Sequence, residues 1–266
     1  MYRWNPEDYS QHSSGQEKWA RELISKLELK GDERILDIGC GDGKVTAEIA
    51  SSLTGGSVLG VDSSLEMVEH AKKTFMGRYD NLGFLYLDVR EMDFEPEFDI
   101  VFSNAALHWV HDHLLLLKRI RRALRPSGKV LLQMAGEGNA AVMMDLVNKM
   151  MQRVPWRSFF HDFSFPYAFY GAEEYRRLVK TAGLVPKRID LIPKTMLHEG
   201  KEGLAAWIRT TWLPYTQRVP EDMREGFIEE IISAYETEHG IDAKGFFAVG
   251  MVRLEVEAVK REEMGE

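Results

Sequence analysis

Short apolar runs alternate with amphipathic stretches along the first half of the chain. Each run is apolar on both faces, which predicts strands of a buried parallel sheet. The predicted strands are 35–38, 57–61, 84–87, 98–103 and 129–134. The stretches with helical spacing are 16–29, 44–53, 63–75 and 111–124. This alternation is typical of a parallel sheet with helices on both faces.

The pattern changes after Gly138. Helices are predicted at 140–154 and 173–182, with an aromatic-rich stretch between them, and two more strands at 184–191 and 246–259. Between these two strands lie the predicted helices 204–215 and 221–239. We expect a single domain over 1–266 with a seven-stranded, Rossmann-like α/β sheet, mostly parallel with an antiparallel edge strand. Its core would cover about 16–191 and 244–261, and a helical lid at about 200–240 would lie over the strand ends where such sheets bind ligands.

A glycine turn follows the first predicted strand in the sequence RILDIGCGDG, residues 34–43. Asp37 closes the apolar run, and three glycines follow at alternate positions, Gly39, Gly41 and Gly43. Because glycine has no Cβ, a ligand can lie directly against the backbone of this turn. The helix that follows would point free N–H groups at the same ligand. The order of strand, glycine turn and helix predicts a nucleotide-type pocket.

The spacing of these residues indicates which nucleotide is bound. It is D-x-G-x-G-x-G, with Lys44 at the place where the dinucleotide pattern has its third glycine, and no P-loop sequence occurs. Asp62 ends the second strand 21 positions after Gly41, where such folds pair an acid with ribose hydroxyls. Asp88 ends the third strand and is placed to meet an adenine amino group. The set favours the cationic nucleoside S-adenosylmethionine over a diphosphate, although each acid alone is equally typical of a helix N-cap.

Composition and charge narrow the classes of partner. The 266 residues are 44% hydrophobic and contain no apolar run of the ~20 residues that a membrane span requires. The first residues have no apolar signal core, so we expect a cytoplasmic protein without a membrane partner. A net charge of −8 argues against a general nucleic-acid surface. The single cysteine, Cys40, excludes an internal disulfide and a cysteine-based zinc site. We expect a monomer or weak homodimer that acts on a small molecule.

The segment SNAALHW, residues 103–109, follows the fourth strand at the edge of the predicted pocket. It lacks the Asn/Asp-Pro-Pro-aromatic clamp expected for methylation of a base amino group, and only Cys40 is available for cytosine C5 chemistry. His108, His111 and His113 are close in sequence, but no further ligand pair stands at metal spacing, so we expect no metal. Position at the methyl end of the cofactor favours substrate contact for this segment over simple core packing.

Methyl transfer from a sulfonium is an in-line displacement that depends mainly on alignment. An amine or phenol must lose a proton and needs a positioned base, whereas a carboxylate is already ionised at neutral pH and needs only donors that hold it. Gln16, His108 and Trp109 are the candidate donors, and so the candidate catalytic residues. Arg209 is suited to a second carboxylate, and lid aromatics are suited to wall an apolar pocket, although most lid aromatics would simply fill its core. The candidate substrate-binding residues are Arg209, Trp207 and Tyr215.

The motifs LDIGCGDGK, GVDSS, YLD, FSNAALHW and LRPSGKVLL stand in the order typical of class I S-adenosylmethionine-dependent methyltransferases, which the chain resembles over about 16–134. The resemblance implies S-adenosylmethionine as cofactor and S-adenosylhomocysteine as product. It also implies that the glycines approach the methionine part, Asp62 the ribose and Asp88 the adenine. The expected cofactor-binding residues are Asp37, Gly39, Cys40, Gly41, Gly43, Asp62, Ser63, Met67, Asp88, Val89, Ser103 and Asn104.

A narrower resemblance extends over nearly the whole chain. ALHWVHDH, FPYAFYGAEEYRRLVKTAGL and LPYTQRVPEDMREGFIEEII resemble juvenile hormone acid methyltransferases, and WNPEDYSQH and AAWIRTTWLPY also resemble trans-aconitate methyltransferases. Both groups methylate free carboxylates, which implies that Gln16 and Trp109 hold the acid. The chain departs from both: His108 stands where the trans-aconitate enzymes commonly have Gln, and Asn104 and Ala105 stand where insect enzymes usually have aromatic residues.

Several alternatives to O-methylation of a small acid stay open. The acceptor could be an amine, a phenol, a carbon acid or a malonyl-carrier protein. A non-catalytic cofactor-binding protein on the same fold, and more remotely a nicotinamide oxidoreductase, are further alternatives because a fold does not fix a function.

Overall fold

The structure, a computed structural model, describes residues 14–262, and of residues 14–18 it describes the backbone alone. Four 3-10 turns, at Val89–Glu91, Leu107–Trp109, Trp156–Phe159 and Glu221–Met223, connect longer elements. These elements are α1 (Ser14–Ile24), β1 (Arg34–Ile38), α2 (Lys44–Ser51), β2 (Ser57–Asp62), α3 (Leu65–Phe75), β3 (Leu82–Tyr86), β4 (Phe98–Asn104), α4 (His113–Ala123), β5 (Leu124–Ala135), α5 (Ala141–Met151), α6 (Ala172–Thr181), β6 (Leu184–Glu199), α7 (Gly200–Thr211), α8 (Leu213–Thr216), α9 (Arg224–His239) and β7 (Phe246–Lys260).

All seven predicted strands are present and form one sheet in the order β3-β2-β1-β4-β5-β7-β6. The five strands β3, β2, β1, β4 and β5 pair in parallel, and β7 pairs antiparallel with β5. The predicted mixed, Rossmann-like sheet is therefore confirmed. The strand order reverses direction beside β1 and β4, which is where open α/β sheets bind ligands.

The segment Arg125-Pro126-Ser127-Gly128 lies between the predicted helix 111–124 and the predicted strand 129–134, but in the structure it forms a bulge inside β5. Phe98 of β4 pairs with Leu124, and Ile100 pairs with Lys129, so β5 has three residues more than β4 between these two pairs. Ser127 has a left-handed backbone with φ of 63°. The register between β4 and β5 shifts at this bulge, and parallel pairing continues after it from Lys129 to Gln133.

Contacts divide the chain into two compact units. The sheet unit comprises 16–137, 167–192 and 253–262 of the described residues. The helical unit comprises 14–15, 138–166 and 193–252, and thus includes the predicted lid together with the aromatic-rich segment before it. Both β6 and β7 run through the two ranges. Residues 193–199 of β6 and 246–252 of β7 belong to the helical unit.

The sheet unit has two apolar layers, one on each face of the sheet. Neighbouring residues of β1 enter different layers: Ile35 belongs to the layer that contains Leu23 of α1, and Leu36 belongs to the layer that contains Leu117 of α4. This is the burial on both faces that the continuous apolar run predicts. Each of these fully buried side chains contributes roughly 1.5–3 kcal/mol relative to exposure. The layers therefore form a rigid support for the loops at the strand ends.

The helical unit is packed mainly by aromatic side chains. Trp156 donates its indole N–H to Glu230 at 2.8 Å, and Phe160 stacks on Phe227 with ring centroids 5.6 Å apart. The Tyr235 hydroxyl donates to the Ala248 carbonyl at 2.8 Å. Most lid aromatics thus fill the core of this unit. Within 14–262, no helix combines the length and apolarity that crossing a bilayer would need.

Candidate functional site

The glycine turn after β1 is tied to its neighbours by backbone contacts. The N–H groups of Gly39 and Cys40 both donate to the Val61 carbonyl, at 2.7 and 3.1 Å. Gly39 has a φ of 75°, and a Cβ built there would lie 2.1 Å from the Cβ of Ala106. Glycine at position 39 therefore lets the turn after β1 touch the turn after β4.

The backbone at Gly41 is open on the side where a Cβ would stand. A Cβ at Gly41 would meet no atom of the described residues within 4 Å. The Gly41 N–H donates to Asp62 Oδ2 at 2.9 Å, and Gly43 follows as the N-cap of α2. The turn thus presents bare backbone to a ligand while its conformation is held by the end of β2.

Asp37 is a buried carboxyl beneath this turn. Its side chain is only 2% exposed, and Thr46 Oγ1 donates to Asp37 Oδ2 at 2.7 Å. Burial raises the pKa of Asp37 to about 7, although the Thr46 hydrogen bond opposes the shift; the nearby charge of Asp62 adds to it. A positive charge beside this carboxyl would keep it ionised, because an opposite charge favours the charged form.

Asp62 is held by backbone N–H groups on both oxygens. Ser64 N donates to Oδ1 at 2.8 Å, in addition to the bond from Gly41 to Oδ2. Burial raises the pKa of Asp62, and the bonds from Ser64, Gly41 and Ser63 oppose the shift. The N-cap of α3 is Ser64, whose hydroxyl accepts from the N–H of the buried residue Met67 at 3.3 Å. Each Asp62 oxygen keeps a second lone pair for a ligand hydroxyl.

Asp88 caps the 3-10 turn that follows β3. Its Oδ1 accepts from Arg90 N at 2.9 Å, and its Oδ2 accepts from the Arg90 guanidinium at 2.5 Å. The side-chain hydrogen bond from Arg90 lowers the pKa of Asp88, against the opposite effect of burial. The next residue, Val89, is buried. Asp88 is therefore an N-cap, which is the alternative role that the sequence left open. Its contact with adenine stays a prediction.

Three further predicted cofactor-binding residues, Cys40, Ser103 and Asn104, lie in the turn after β1 or at the end of β4. Burial raises the pKa of the Cys40 thiol well above its usual value, so the thiol stays protonated. Ser103 Oγ donates to the Ile38 carbonyl at 2.6 Å and ties β4 to β1. Asn104 Oδ1 is buried and has no hydrogen-bond partner among the described residues. Asn104 therefore offers an acceptor atom at the end of β4.

These residues fit the adenosyl sulfonium that the sequence predicts. Gly41 exposes backbone on which its methionine part can lie, and the buried Asp37 carboxyl would be stabilised in its ionised form by a cationic ligand. An ammonium group would also give Asn104 Oδ1 the donor that it lacks. Asp62 is suited to accept from ribose hydroxyls through its remaining lone pairs.

His108 and Trp109 lie in the 3-10 turn Leu107–Trp109 directly after β4. Burial lowers the pKa of His108 to about 3, and the positive charge of Arg253 adds to this effect, so the imidazole is neutral. His108 Nδ1 has no hydrogen-bond partner among residues 14–262. The Tyr167 ring lies edge-on to Trp109 with centroids 4.8 Å apart and 5.7 Å from the His108 ring. The turn therefore combines a neutral imidazole with an aromatic wall.

Helix α1 contacts strand β7 beside the end of β5. The Arg253 guanidinium lies over Trp19, 5.2 Å from the ring centroid, and Arg253 pairs with Ala135 at the end of β5. Gln16 lies in α1 one turn before Trp19, but its side chain is outside the described part of the structure. The role of Gln16 stays a prediction.

The three predicted substrate-binding residues of the lid lie in the helical unit. Trp207 and Tyr215 are buried, with Trp212 beside both rings. Arg209 forms two hydrogen bonds to Glu225, at 3.1 and 3.2 Å, so its charge is already balanced there. Their contact with a substrate stays a prediction.

Sequence reasoning missed partners that are distant along the chain. Thr46 holds Asp37, Ala106 lies against Gly39, and a buried pair of His113 and Tyr175 supports the turn after β4. A threonine in the first turn of the helix after the glycines is a signal that could have identified the first contact. The pair His113–Tyr175 spans 62 positions, and no local pattern indicates it.

Comparison with known proteins identifies methyltransferases that are similar to this chain. A family model described as a methyltransferase domain matches residues 35–128. Over 266 residues the chain is 25% identical to trans-aconitate 2-methyltransferase of Shigella dysenteriae serotype 1, covering 98% of this chain and 100% of that protein. The matched range 35–128 contains the glycine turn and the turn after β4.

Two solved structures share the fold. The YcgJ protein of Bacillus subtilis superposes with a TM-score of 0.65 at 20% identity, covering 93% of this chain and 100% of that one. The phosphoethanolamine N-methyltransferase 2 of Haemonchus contortus, solved with phosphomonomethylethanolamine and S-adenosylhomocysteine, gives a TM-score of 0.58 at 24% identity. That match covers 92% of this chain and 53% of the Haemonchus chain.

Proposed function

Since the chain belongs to the class I S-adenosylmethionine-dependent methyltransferases, we propose that it transfers the methyl group to a carboxylate of a small organic acid and forms a methyl ester. When bound, S-adenosylmethionine supplies an electrophilic methyl group on a positively charged sulfur. The residues of the chain then have to bind the acceptor, orient it and exclude water.

The observation that carries the proposal is the His108 imidazole in the turn after β4, whose buried Nδ1 has no hydrogen-bond partner among the described residues. His108 has a pKa of about 3, and burial lowers the pKa of His113 to about 4. Imidazoles with such low pKa values are poor proton acceptors at neutral pH, where an amine or phenol would need a base. A carboxylate acceptor is already ionised and has no such requirement. The chemistry of the turn therefore favours an acid.

The same turn has hydrogen-bond donors suited to a carboxylate. The Trp109 indole has an N–H donor, and a neutral His108 has one N–H and one lone pair. Because Nδ1 of His108 has no hydrogen-bond partner among the described residues, a proton on Nδ1 could be donated to an acceptor oxygen. Gln16 would add an amide donor, as the sequence predicts. The relative from Shigella dysenteriae is named for trans-aconitate, an organic acid, which supports the same class of acceptor.

Product analysis tests the proposal directly. The purified protein is incubated with methyl-labelled S-adenosylmethionine and a panel of small mono-, di- and tricarboxylic acids that includes trans-aconitate. We expect label in a product that releases methanol on mild alkaline treatment, because esters hydrolyse under these conditions. Label that survives alkali would identify an amine, ether or carbon product and would overturn the proposal.

Trp109→Phe is expected to slow turnover while cofactor binding is retained. The substitution keeps an aromatic ring beside Tyr167 but removes the indole N–H, so we expect kcat/KM for the acid to fall about tenfold, the value of one hydrogen bond to a charged group. Titration calorimetry with S-adenosylhomocysteine should give an affinity within about twofold of wild type. Trp156→Phe, which removes an indole donor in the helical unit, is the matched control and should leave kcat/KM nearly unchanged. An equal loss of cofactor affinity and turnover in Trp109→Phe would contradict an acceptor role.

A further inference from the structure

A buried histidine, His113, forms a hydrogen bond with the turn that carries His108 and Trp109. His113 is the first residue of α4 and is 1% exposed. Its Nε2 lies 3.0 Å from the Leu107 carbonyl, and its Nδ1 lies 2.9 Å from the Tyr175 hydroxyl. A carbonyl oxygen can only accept, so Nε2 carries the proton. Nδ1 then accepts, and the Tyr175 hydroxyl donates.

This chain of hydrogen bonds links α6 to the turn through one fixed tautomer. Tyr175 is fully buried in α6, and its ring lies edge-on to His113 with centroids 5.3 Å apart. Removal of its hydroxyl would leave Nδ1 as a buried acceptor without a donor, in a place too apolar for it to ionise readily. The orientation of the imidazole, and with it the Leu107 carbonyl, therefore depends on Tyr175.

The segment before α6 binds the same turn at two further carbonyls. Ala168 N donates to the His108 carbonyl at 2.8 Å, and the Tyr170 hydroxyl donates to the His111 carbonyl at 2.9 Å. Three backbone carbonyls between positions 107 and 111 are thus bound from elsewhere in the sheet unit. His108 and Trp109 project from a turn whose backbone is fixed by these contacts.

We infer that His113 and Tyr175 are positioning residues for the acceptor, which set the orientation of the turn that presents His108 and Trp109. The inference rests on the proposed function for the chemical class of acceptor. The positioning role of His113 and Tyr175 does not depend on the chemical class of the acceptor, because this pair acts on the protein backbone. An interaction that only stabilised the fold would not couple to Trp109, whereas a positioning interaction must.

Tyr175→Phe tests the inference, with Tyr235→Phe as the matched control. Both variants remove the hydroxyl of a buried tyrosine that donates one hydrogen bond within its own unit, at 2.9 Å in the sheet unit and 2.8 Å in the helical unit. We expect kcat/KM for the acceptor to fall about tenfold in Tyr175→Phe, which corresponds to the loss of one buried hydrogen bond. In Tyr235→Phe we expect kcat/KM to stay within twofold of wild type. S-adenosylhomocysteine affinity should be unchanged in both variants.

A double-mutant cycle shows whether Tyr175 acts through Trp109. In the Trp109→Phe background, Tyr175→Phe should cost less than threefold, because one of the two donors that it positions is already absent. His113→Gln, which keeps a donor near the Leu107 carbonyl, should retain more activity than His113→Leu. Additive losses, or equal losses in Tyr175→Phe and Tyr235→Phe, would overturn the inference.

A readout without any acceptor separates this inference from the proposed function. The indole N–H resonance of Trp109 in proton–nitrogen NMR spectra, assigned by its loss in Trp109→Phe, should shift in Tyr175→Phe and not in Tyr235→Phe. An unshifted resonance would contradict positioning even if acids are methylated. A shifted resonance together with an alkali-stable product would contradict the carboxylate proposal and leave the positioning role supported.

Discussion

Replacement of Asp62 by alanine should reduce the affinity for S-adenosylhomocysteine at least 100-fold. The carboxylate accepts from Gly41 N and Ser64 N, so its loss frees the glycine turn and removes the acceptor that we predict for ribose hydroxyls. Two or more hydrogen bonds to a charged group, at roughly 1.5–3 kcal/mol each, correspond to a change of this size. Titration calorimetry on the folded variant would measure it.

Asp99→Ala is the matched control for that experiment. Asp99 also accepts a backbone N–H, from Arg34 at 2.8 Å, and an Arg125 guanidinium N–H at 2.9 Å, but Arg34 begins β1 at the opposite end of the strand from the glycine turn. We expect Asp99→Ala to lower the melting temperature while the affinity for S-adenosylhomocysteine stays near wild type. If both variants lost affinity equally, Asp62 would be acting on the fold and not on the ligand.

The strand ends of the first half of the chain were predictable because their chemistry is local. A continuous apolar run followed by Asp37 or Asp62 marks both a buried strand and the polar group at its end, and the sheet confirms these strands. The N-cap of α4 is likewise a local feature: the Asp112 side chain accepts from Leu115 N at 2.9 Å. Such signals need only a few neighbouring residues, and tertiary packing did not override them.

What the sequence missed depends on contacts between distant segments. The need for glycine at position 39 comes from Ala106, which reaches it only after the sheet has formed. The pairing of Arg209 with Glu225 likewise follows from the packing of α7 beside α9, and it changes the charge that this lid residue can offer. The neutral state of His108 is set by burial and by Arg253, 145 positions away, which no pattern around His108 indicates.

Cofactor affinity should rise with pH through the neutral range because of Asp37. The pKa of its carboxyl is about 7 in the folded chain, and a cationic ligand favours the ionised form. If only the ionised carboxyl binds, the affinity for S-adenosylhomocysteine, which keeps a cationic amino group, should increase about 30-fold between about pH 5.5 and 8.5 and level off above that. Calorimetry in buffers of different ionisation enthalpy should also detect proton release of about half an equivalent near pH 7.

The stability of the cofactor-free chain should have the opposite dependence on pH. The folded pKa of Asp37 lies above its unfolded value of 3.8, so the folded state holds the proton more tightly. The contribution of Asp37 to stability is therefore present below about pH 4 and is lost as the pH rises towards 7. Asp37→Asn should bind more weakly and should flatten both profiles near neutrality, whereas Asp42→Asn, a neighbouring acid whose pKa burial also raises, should keep the affinity profile. Parallel profiles in wild type and Asp37→Asn would show that another group titrates with the cofactor.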